Sequence, residues 1–222
     1  MPEPRIRVVV VDDQPLFASG LGMLIDAQPD MECVGTAGDG AQALEVVAEL
    51  RPDVVLMDLR MPGVNGIEAT KLLLARGRAD EPPRVIVLTT LRQDGVVVQA
   101  LAAGASAFLT KDATPDQVLG TIRATQEGAV VPDLAATLAL VADLRGASSG
   151  PPRGAALEPL SPREREVFLL VARGLTNAEI AEAEYVSEAT VKSHIAAILR
   201  KLELRSRVQV VVFAHQNGLV SV

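Results

Sequence analysis

Apolar runs of strand length alternate with segments of helical periodicity over the first 127 residues of the chain. Five runs rich in Val, Ile and Leu have the length of strands: Arg5–Val11, Cys33–Ala37, Asp53–Met57, Val85–Thr89 and Ser106–Leu109. Five segments between and after them have the spacing of helices: Pro15–Gln28, Gly40–Leu50, Val64–Arg76, Gly95–Ala103 and Pro115–Gln126. This alternation predicts an α/β doubly wound domain, with a five-stranded parallel sheet covered by helices on both faces.

The pattern changes after residue 130. Residues 132–145 have the spacing of one further helix, and residues 146–154 are small, polar and proline-rich, which is typical of a flexible linker. From residue 160 onward the pattern is helical throughout. We therefore predict three parts: a sheet domain at 1–130, a linker helix and flexible linker at 131–158, and a small all-α four-helix domain at 159–222.

Helix-start signals divide the last part into its four helices. Capping boxes at Ser161-Pro-Arg-Glu and Thr176-Asn-Ala-Glu predict the first two starts, and Ser187 precedes the third. The fourth is predicted from about Arg205 to Gln216. The second and third helices, joined by a tight turn near Tyr185, have the proportions of a helix-turn-helix.

Composition narrows the function classes. The chain of 222 residues is 49% hydrophobic but only 2% aromatic, so its cores must consist of aliphatic side chains. Its net charge is −7, which argues against non-specific nucleic-acid binding, so DNA binding must depend on local placement of cations.

The single cysteine, Cys33, excludes an internal disulfide and is expected to be buried in its strand. The valine run ending at Asp12 is too short for a signal peptide or a membrane span, so we expect a cytoplasmic protein with no membrane partner.

Charged and hydroxyl residues follow the predicted strands. Asp12 and Asp13 follow the first strand, Asp58 the third, Thr89 the fourth and Lys111 the fifth. Ligands of open parallel sheets bind at the carboxyl ends of the strands. Each residue alone has an ordinary alternative role, as a turn former, a helix cap, a surface side chain or core filler. The set, with members at the ends of four strands, predicts a site.

The residue types indicate its chemistry. Three carboxylates without His or Cys suit a hard cation such as Mg²⁺. A carboxylate beside such a cation can accept a phosphoryl group, and Asp58 is the best acceptor because it ends the central strand. The metal ion, Lys111 and the Thr89 hydroxyl would neutralise and orient the phosphoryl oxygens.

The same segments resemble the receiver domains of response regulators, which have a flavodoxin-like fold. The resemblance rests on Val10-Val-Asp-Asp13, Val54-Val-Leu-Met-Asp-Leu-Arg-Met-Pro-Gly63, Leu88-Thr-Thr90 and Gly104-Ala-Ser-Ala-Phe-Leu-Thr-Lys111. It implies that Asp13 and Asp58 bind Mg²⁺, with Asp12 nearby and help from the backbone carbonyl of Arg60. It also implies that Asp58 receives phosphate from a sensor histidine kinase.

The resemblance further implies a switch pair. Thr89 is drawn to the phosphate, and the ring of Phe108 turns inward behind it. From the residues alone, an ordinary core aromatic stays open as the alternative for Phe108.

Residues 160–220 resemble LuxR-type helix-turn-helix domains, and their combination with a receiver resembles the NarL/FixJ class. The resemblance rests on Leu160-Ser-Pro-Arg-Glu-Arg-Glu166, Gly174-Leu-Thr-Asn-Ala-Glu-Ile-Ala181, Val186-Ser-Glu-Ala-Thr-Val-Lys-Ser-His-Ile195 and Leu199-Arg-Lys-Leu202. It implies double-stranded DNA as a partner, with RNA polymerase as a further partner to be tested.

Helical periodicity assigns DNA-facing positions. Residues of the third helix opposite its apolar face are predicted to enter the major groove: Lys192, Ser193 and Ala196. Residues at helix starts are predicted to bind phosphates: Thr176, Asn177, Ser187 and Thr190. His194 is assigned a structural or phosphate-binding role. A basic group is expected at the far end of the helix, with a solvated basic face as the alternative: Arg200, Lys201, Arg205 and Arg207.

The last helix carries more apolar surface than one core-facing stripe needs. We therefore predict a homodimer contact through Val208, Val211 and Val212, and a dimer that reads an inverted-repeat promoter site.

Four positions depart from the resemblance. Glu184 stands where an apolar residue is usual, so local packing or the approach to DNA is expected to differ. Ala196 shortens a DNA-facing side chain. Gln14 and Leu91 replace the usual His and Phe near Asp58, which affects the expected lifetime of the phosphoryl group.

Three functions remain open from the residues alone. The preferred one is a transcription regulator switched by phosphate, in which the unphosphorylated receiver masks the recognition helix or holds the chain monomeric. Such a protein is no enzyme beyond slow self-phosphorylation from small donors and self-dephosphorylation. A phosphatase would need a second Asp two residues after Asp58, where Arg60 stands instead. A regulator that works without phosphate would leave the acidic pocket purely structural.

Overall fold

The computed structural model describes residues 5–76, 82–90, 99–126, 155–204 and 206–220. Its N-terminal half contains a five-stranded sheet in the order β2-β1-β3-β4-β5, with every pair of neighbours parallel. The strands are β1 (Ile6–Val11), β2 (Met31–Ala37), β3 (Val54–Asp58), β4 (Arg84–Thr89) and β5 (Ala107–Thr110). The predicted parallel sheet is confirmed.

Helices join and cover the strands. In the N-terminal half they are α1 (Pro15–Asp26), α2 (Gly40–Leu50), α3 (Gly66–Arg76) and α4 (Pro115–Gln126). Of the predicted helix Gly95–Ala103, residues 99–102 are helical and 91–98 lie outside the described residues. The predicted helix at 132–145 and the linker at 146–154 also lie outside them. Among the described helices, none combines the length and apolar composition that a membrane span requires.

Two apolar layers, one on each face of the sheet, bury its inner strands on both sides. In the valine run of β1, Val9 and Val11 belong to the layer that includes α2 and α3, whereas Val8 and Val10 belong to the layer with α1 and α4. All four valines are fully buried. This explains why the inner strands appear as continuous apolar runs rather than as alternating patterns. Cys33 lies in the edge strand β2 and is half-buried.

A close backbone approach fixes α3 against the end of β3. A Cβ atom at Gly66 would lie 2.0 Å from the carbonyl oxygen of Asp58, which no side chain can tolerate. The Gly66 amide also donates to the carbonyl of Leu59 at 3.3 Å. The glycine therefore lets the first turn of α3 press against the strand end that carries Asp58.

From residue 155 onward, the described residues form a three-residue 3₁₀ turn at Ala155–Leu157 and four helices, α5 (Pro162–Ala172), α6 (Asn177–Ala183), α7 (Glu188–Lys201) and α8 (Arg207–Gln216). Both predicted capping boxes are present, and the Ser187 side chain caps α7. The predicted start of α8 at Arg205 is two residues too early. The hydroxyl of Ser206 accepts a hydrogen bond from the Gln209 amide at 3.3 Å, so Ser206 is in the position of the N-cap.

The first part of α8 contacts the N-terminal half. Val208 and Val212 are 4% and 3% exposed and belong to the same apolar cluster as Leu101 and Phe108. Polar contacts flank this packing. The Ser206 hydroxyl donates to the carbonyl of Ala105 at 3.2 Å, and the amide of Gln209 donates to that of Leu101 at 3.3 Å. One face of α8 is therefore covered within the chain.

Candidate acidic site and nucleic-acid interface

The predicted acidic residues meet at the carboxyl edge of the sheet. Asp12 follows β1 directly and Asp58 ends the adjacent β3; they are 2% and 3% exposed. Lys111 follows β5 and inserts its ammonium group between them. Its Nζ lies 2.6 Å from Oδ2 of Asp12 and 2.7 Å from Oδ2 of Asp58. The parallel topology thus brings residues from distant parts of the chain into direct contact.

Backbone amides fix the other oxygen of each buried carboxylate. Oδ1 of Asp12 accepts from the Gln14 amide at 3.0 Å, and Oδ1 of Asp58 accepts from the Arg60 amide at 3.1 Å. Asp13 is exposed beside them. The loops after β1 and β3 therefore hold both buried carboxylates in defined orientations.

Lys111 remains charged in this site. Burial acts to lower the pKa of its ammonium group. The hydrogen bonds that the ammonium group donates to Asp12 and Asp58, together with the negative charges of these residues, outweigh that effect, so the pKa of Lys111 lies above its ordinary value. A cation held this way is ready to compensate the charge of an anion that arrives at Asp58.

The donor set fits the predicted cation. One carboxylate oxygen from each of Asp12, Asp13 and Asp58 lies within 4.8 Å of the others. All these donors are oxygens, which Mg²⁺ prefers, and the exposure of Asp13 leaves one side of the cluster open to water. Three carboxylates facing a single ammonium group also leave negative charge that a divalent ion would offset.

The predicted switch residues lie in the two strands that lead to Lys111 and its neighbours. Thr89 is the last residue of β4 and is 4% exposed, and its carbonyl accepts from the Lys111 amide at 2.8 Å. Phe108 lies in β5 beside Val87 and is also 4% exposed. Phe108 shares its apolar cluster with Val208 and Val212 of α8. The core packing of Phe108 is therefore continuous with the contact between the two halves.

A contact at Phe17 was not predicted. Phe17 lies in the first turn of α1, and the Nζ atom of Lys111 lies 4.9 Å from the centroid of its ring. The sequence offers only the proximity of Phe17 to Asp13, and that spacing does not specify the direction of the ring.

The C-terminal half presents α7 much as its periodicity predicts. Val191, Ile195 and Ile198 are buried against the other helices. Positions predicted to face DNA are exposed: Thr176, Ser187, Thr190, Lys192, Ser193, Ala196, Arg200 and Lys201. His194 is half-buried. Apart from Lys201 at its end, which contacts Glu164 of α5, the exposed side of α7 has no covering contact from the rest of the described chain.

Two residues predicted to contact DNA form hydrogen bonds with other side chains of the chain. Oδ1 of Asn177 accepts from the guanidinium of Arg207 at 2.8 Å, and Asn177 is 7% exposed. The Nζ of Lys201 donates to Oε2 of Glu164 at 2.7 Å. Glu164 also accepts from the Ser161 amide, and these bonds, with that of Lys201 the strongest, lower the pKa of Glu164 to about 2.

The expected basic group at the end of α7 is smaller than predicted. Arg207 is buried and not part of a surface group, and Arg205 lies outside the described residues. Besides Asn177, the Arg207 guanidinium donates to the carbonyl of Leu175, and no described residue accepts from its Nε. Burial lowers its pKa to about 10, so it stays charged at neutral pH. Arg207 thus joins the start of α8 to the start of α6.

Arg163 explains the unusual Glu184. Its guanidinium, in the first turn of α5, pairs with the carboxylate of Glu184, and its second terminal nitrogen donates to the carbonyl of the same residue at 2.8 Å. Arg163 also pairs with Glu166 at 2.7 Å. An acidic residue is accommodated at position 184 because an arginine from α5 reaches it.

The predicted dimer residues are covered in this structure. Val208 and Val212 pack toward the N-terminal half, and Val211 is fully buried. Tyr185, in contrast, is 96% exposed in the turn between α6 and α7, with a φ of +54°. Among the described residues of the C-terminal half, the large apolar side chain that is exposed therefore lies in the turn between α6 and α7 and not on α8.

Comparisons with known proteins agree with both halves. Residues 8–123 match the response regulator receiver domain, and residues 158–214 match the bacterial regulatory proteins of the luxR family. The chain is 40% identical to the transcriptional regulatory protein LiaR of Bacillus subtilis, over 97% of this chain and 100% of that protein. It is 36% identical to the nitrate/nitrite response regulator protein NarL of Escherichia coli K12, over 96% of each. The crystal structure of the response regulator ChrA, of a heme-sensing two-component system, matches with 31% identity and a TM-score of 0.51, over 97% of this chain and 99% of that one.

Proposed function

The chain belongs to the response regulators that join a receiver domain to a LuxR-type DNA-binding domain, and from this we propose that phosphorylation of Asp58 controls its binding to DNA. It is a transcription regulator of a two-component system. The observation that carries the proposal is the contact of the Lys111 ammonium with the carboxylates of both Asp12 and Asp58. A sensor histidine kinase is the proposed donor, and the cytoplasm the proposed place of action.

In the proposed reaction, a carboxylate oxygen of Asp58 attacks the phosphorus of a phosphohistidine. The new P–O bond makes an acyl phosphate, the P–N bond breaks, and the imidazole leaves with the electron pair and takes up a proton. Lys111 and the Thr89 hydroxyl neutralise and orient the phosphoryl oxygens. Asp12, Asp13, Asp58 and the Arg60 carbonyl would hold Mg²⁺, which supplies further positive charge. We also propose slow self-phosphorylation from small donors and slow self-dephosphorylation.

We propose that α7 enters the major groove of promoter DNA. Its exposed side carries Lys192, Ser193 and Ala196, while Thr176, Ser187 and Thr190 stand at helix starts where phosphates are bound. We assign Asn177 and Lys201 an indirect role in DNA binding, because their side chains are bonded within the protein. Asn177 accepts from Arg207, and Lys201 donates to Glu164. A homodimer would place two such helices on an inverted repeat, with RNA polymerase as a further partner.

We propose that the unphosphorylated receiver holds the chain monomeric rather than masking the recognition helix. The exposure of α7 supports this choice, since, apart from Lys201, its DNA-facing side has no covering contact from the described chain. The burial of Val208 and Val212 against the receiver supports it too, since the predicted dimer face is then occupied. Phosphorylation would act through Phe108, which shares that cluster, and release α8 for a second copy.

Intact-mass spectrometry tests the phosphoryl acceptor. We expect incubation with Mg²⁺ and acetyl phosphate to add one phosphoryl group to the wild type and none to Asp58→Asn, and chelation of Mg²⁺ to prevent the addition. Asp116→Asn, at an exposed position of α4, is the control and should react like the wild type. No adduct would favour a regulator that works without phosphate. Continuous release of phosphate from small organic esters would favour a phosphatase.

Sedimentation and DNA binding test the release of α8. Gln209→Ala removes the hydrogen bonds to the carbonyls of Leu101 and Ala102. We expect this variant to dimerise and bind an inverted-repeat site more readily than the wild type without phosphate. Unchanged dimerisation, with DNA binding that phosphate still increases, would exclude this contact as the restraint.

A further inference from the structure

Lys111 has a third neighbour besides its two carboxylates. Its ammonium group donates a hydrogen bond to Oδ2 of Asp58 at 2.7 Å and lies 2.6 Å from Oδ2 of Asp12 as an ion pair. The ring of Phe17 lies 4.9 Å from the same nitrogen, within the distance at which an aromatic face attracts a cation. The side chain of Lys111 is only 9% exposed, so little water competes with the ring.

This third contact becomes important when Asp58 reacts. Once phosphorylated, Asp58 presents phosphoryl oxygens in place of its carboxylate, and a cation beside Asp12 weakens the attraction between that residue and Lys111. Both charged partners of the ammonium group are therefore altered during phosphoryl transfer. The ring of Phe17 is not altered, because it is held by α1 and packs against the apolar layer on that face of the sheet.

We propose that Phe17 is a positioning residue for phosphoryl transfer: the face of its ring keeps the Lys111 ammonium group at the edge of the sheet while the charges of Asp12 and Asp58 change. The inference rests on the proposed function, since it assigns Phe17 to the reaction at Asp58. Phe17 acts through Lys111 and touches no reacting atom.

The electron density of the ring distinguishes this role from simple packing. Stepwise fluorination removes negative charge from the ring face but leaves the ring nearly the same size and more apolar. Packing is thus preserved while attraction for a cation declines. Mono-, di-, tri- and pentafluorophenylalanine at position 17, introduced by nonsense suppression, form a graded series in the full-length chain. Phe17→Leu removes the face altogether, and Phe17→Tyr retains it.

The first readout is the rate of phosphorylation by acetyl phosphate at saturating Mg²⁺, measured by intact mass. We expect the rate to fall progressively with the number of fluorines, by about two- to fivefold across the series. We expect Phe17→Tyr to keep the wild-type rate and Phe17→Leu to match the most fluorinated ring. Equal rates across the series, with thermal midpoints unchanged, would overturn the proposal.

The second readout needs no phosphate or metal. A ring face over the ammonium group should shift the ε-methylene protons of Lys111 upfield in the NMR spectrum of the metal-free protein, and Phe17→Leu should abolish that shift. If the wild type takes no phosphoryl group, the proposed function fails while this shift still reports the contact. If phosphorylation occurs but the shift is absent, the role of Phe17 fails and the proposed function stands.

Discussion

Lys111 and Arg207 are both withdrawn from solvent, one in each half of the chain, and their charges are balanced in different ways. Lys111 contacts two carboxylates directly. Arg207 bonds only an amide oxygen and a backbone carbonyl, and no described carboxylate forms an ion pair with it. The pKa of Lys111 is raised, whereas that of Arg207 is lowered by its burial.

The different surroundings of Lys111 and Arg207 distinguish a reactive site at the sheet edge from a structural contact between α6 and α8. At the sheet edge, like charges are concentrated around one cation, so any added cation or anion changes the balance there. At the start of α8, the oxygens that accept from the guanidinium are neutral, and the charge of Glu179 acts on it only from a distance, without an ion pair among the described residues. Ions should therefore affect the first region strongly and the second weakly.

The largest expected effect is at Arg207. Arg207→Ala leaves the oxygens of Asn177 and Leu175 without their donor and opens a cavity between α6 and α8. We expect the free energy of unfolding of the C-terminal half to fall by about 3 kcal/mol, measured by urea denaturation. Magnesium should not restore it. A loss below measurement error would mean that the guanidinium is solvated and the contrast with Lys111 is absent.

A smaller effect, dependent on Mg²⁺, is expected at Lys111. Lys111→Met leaves two adjacent carboxylates without their cation, and we expect a loss of about 2 kcal/mol in the stability of the receiver in chelator. Added Mg²⁺ should recover much of this loss, because the ion replaces the missing charge. Denaturation curves with and without Mg²⁺, with the wild type as control, give the comparison. Equal losses in both conditions would contradict a metal site at Asp12 and Asp58.

The C-terminal half has its own paired charge at Glu164, and pH tests it. The pKa of Glu164 is lowered from 4.5 to about 2 by its bonds with Lys201 and Ser161. A lowered pKa contributes stability that is complete above pH 4.5 and is lost as the pH falls toward 2. We expect Glu164→Gln to be less stable than the wild type at pH 6 and the two to converge at about pH 2, in thermal melts. A constant difference over this range would show that the carboxylate is not paired.

The smallest effect is expected for the pair of Arg163 and Glu184. Arg163 is 39% exposed at its side chain, and exposed ion pairs contribute little to stability. In a double-mutant cycle with Arg163→Ala and Glu184→Ala, we expect a coupling near the limit of detection that vanishes at high salt. A large coupling insensitive to salt would place this pair with the buried cations.

The acidic site could be predicted because topology constrains it. Parallel strands end at one edge, so Asp12, Asp58, Thr89 and Lys111 had to meet once the strands were identified. Helix starts were equally accessible, because a capping box is a local feature of four residues. The start of α8 was predicted about two residues too early, because the hydroxyl of Ser206 holds the capping position.

Contacts between distant elements could not be predicted. Arg207 reads as one more surface cation beside Arg200, and only the packing of α8 on α6 buries it. In the sequence, Glu184 is an acidic residue where an apolar one is usual, and only the structure shows that Arg163 pairs with it. Likewise, the apolar face of α8 predicts that something covers it but not which surface does. These facts depend on tertiary packing, which short-range periodicity does not encode.

The docking of α8 on the receiver has a consequence for the steepness of the response. A dimer built through α8 requires two chains that have both undocked, so the fraction of undocked chains enters the dimerisation constant as its square. An approximately tenfold change in the undocking equilibrium would then change the apparent dimer affinity about a hundredfold. A modest preference of phosphate for the undocked receiver would thus be amplified into a sharp threshold in promoter occupancy, without any cooperative contact on the DNA.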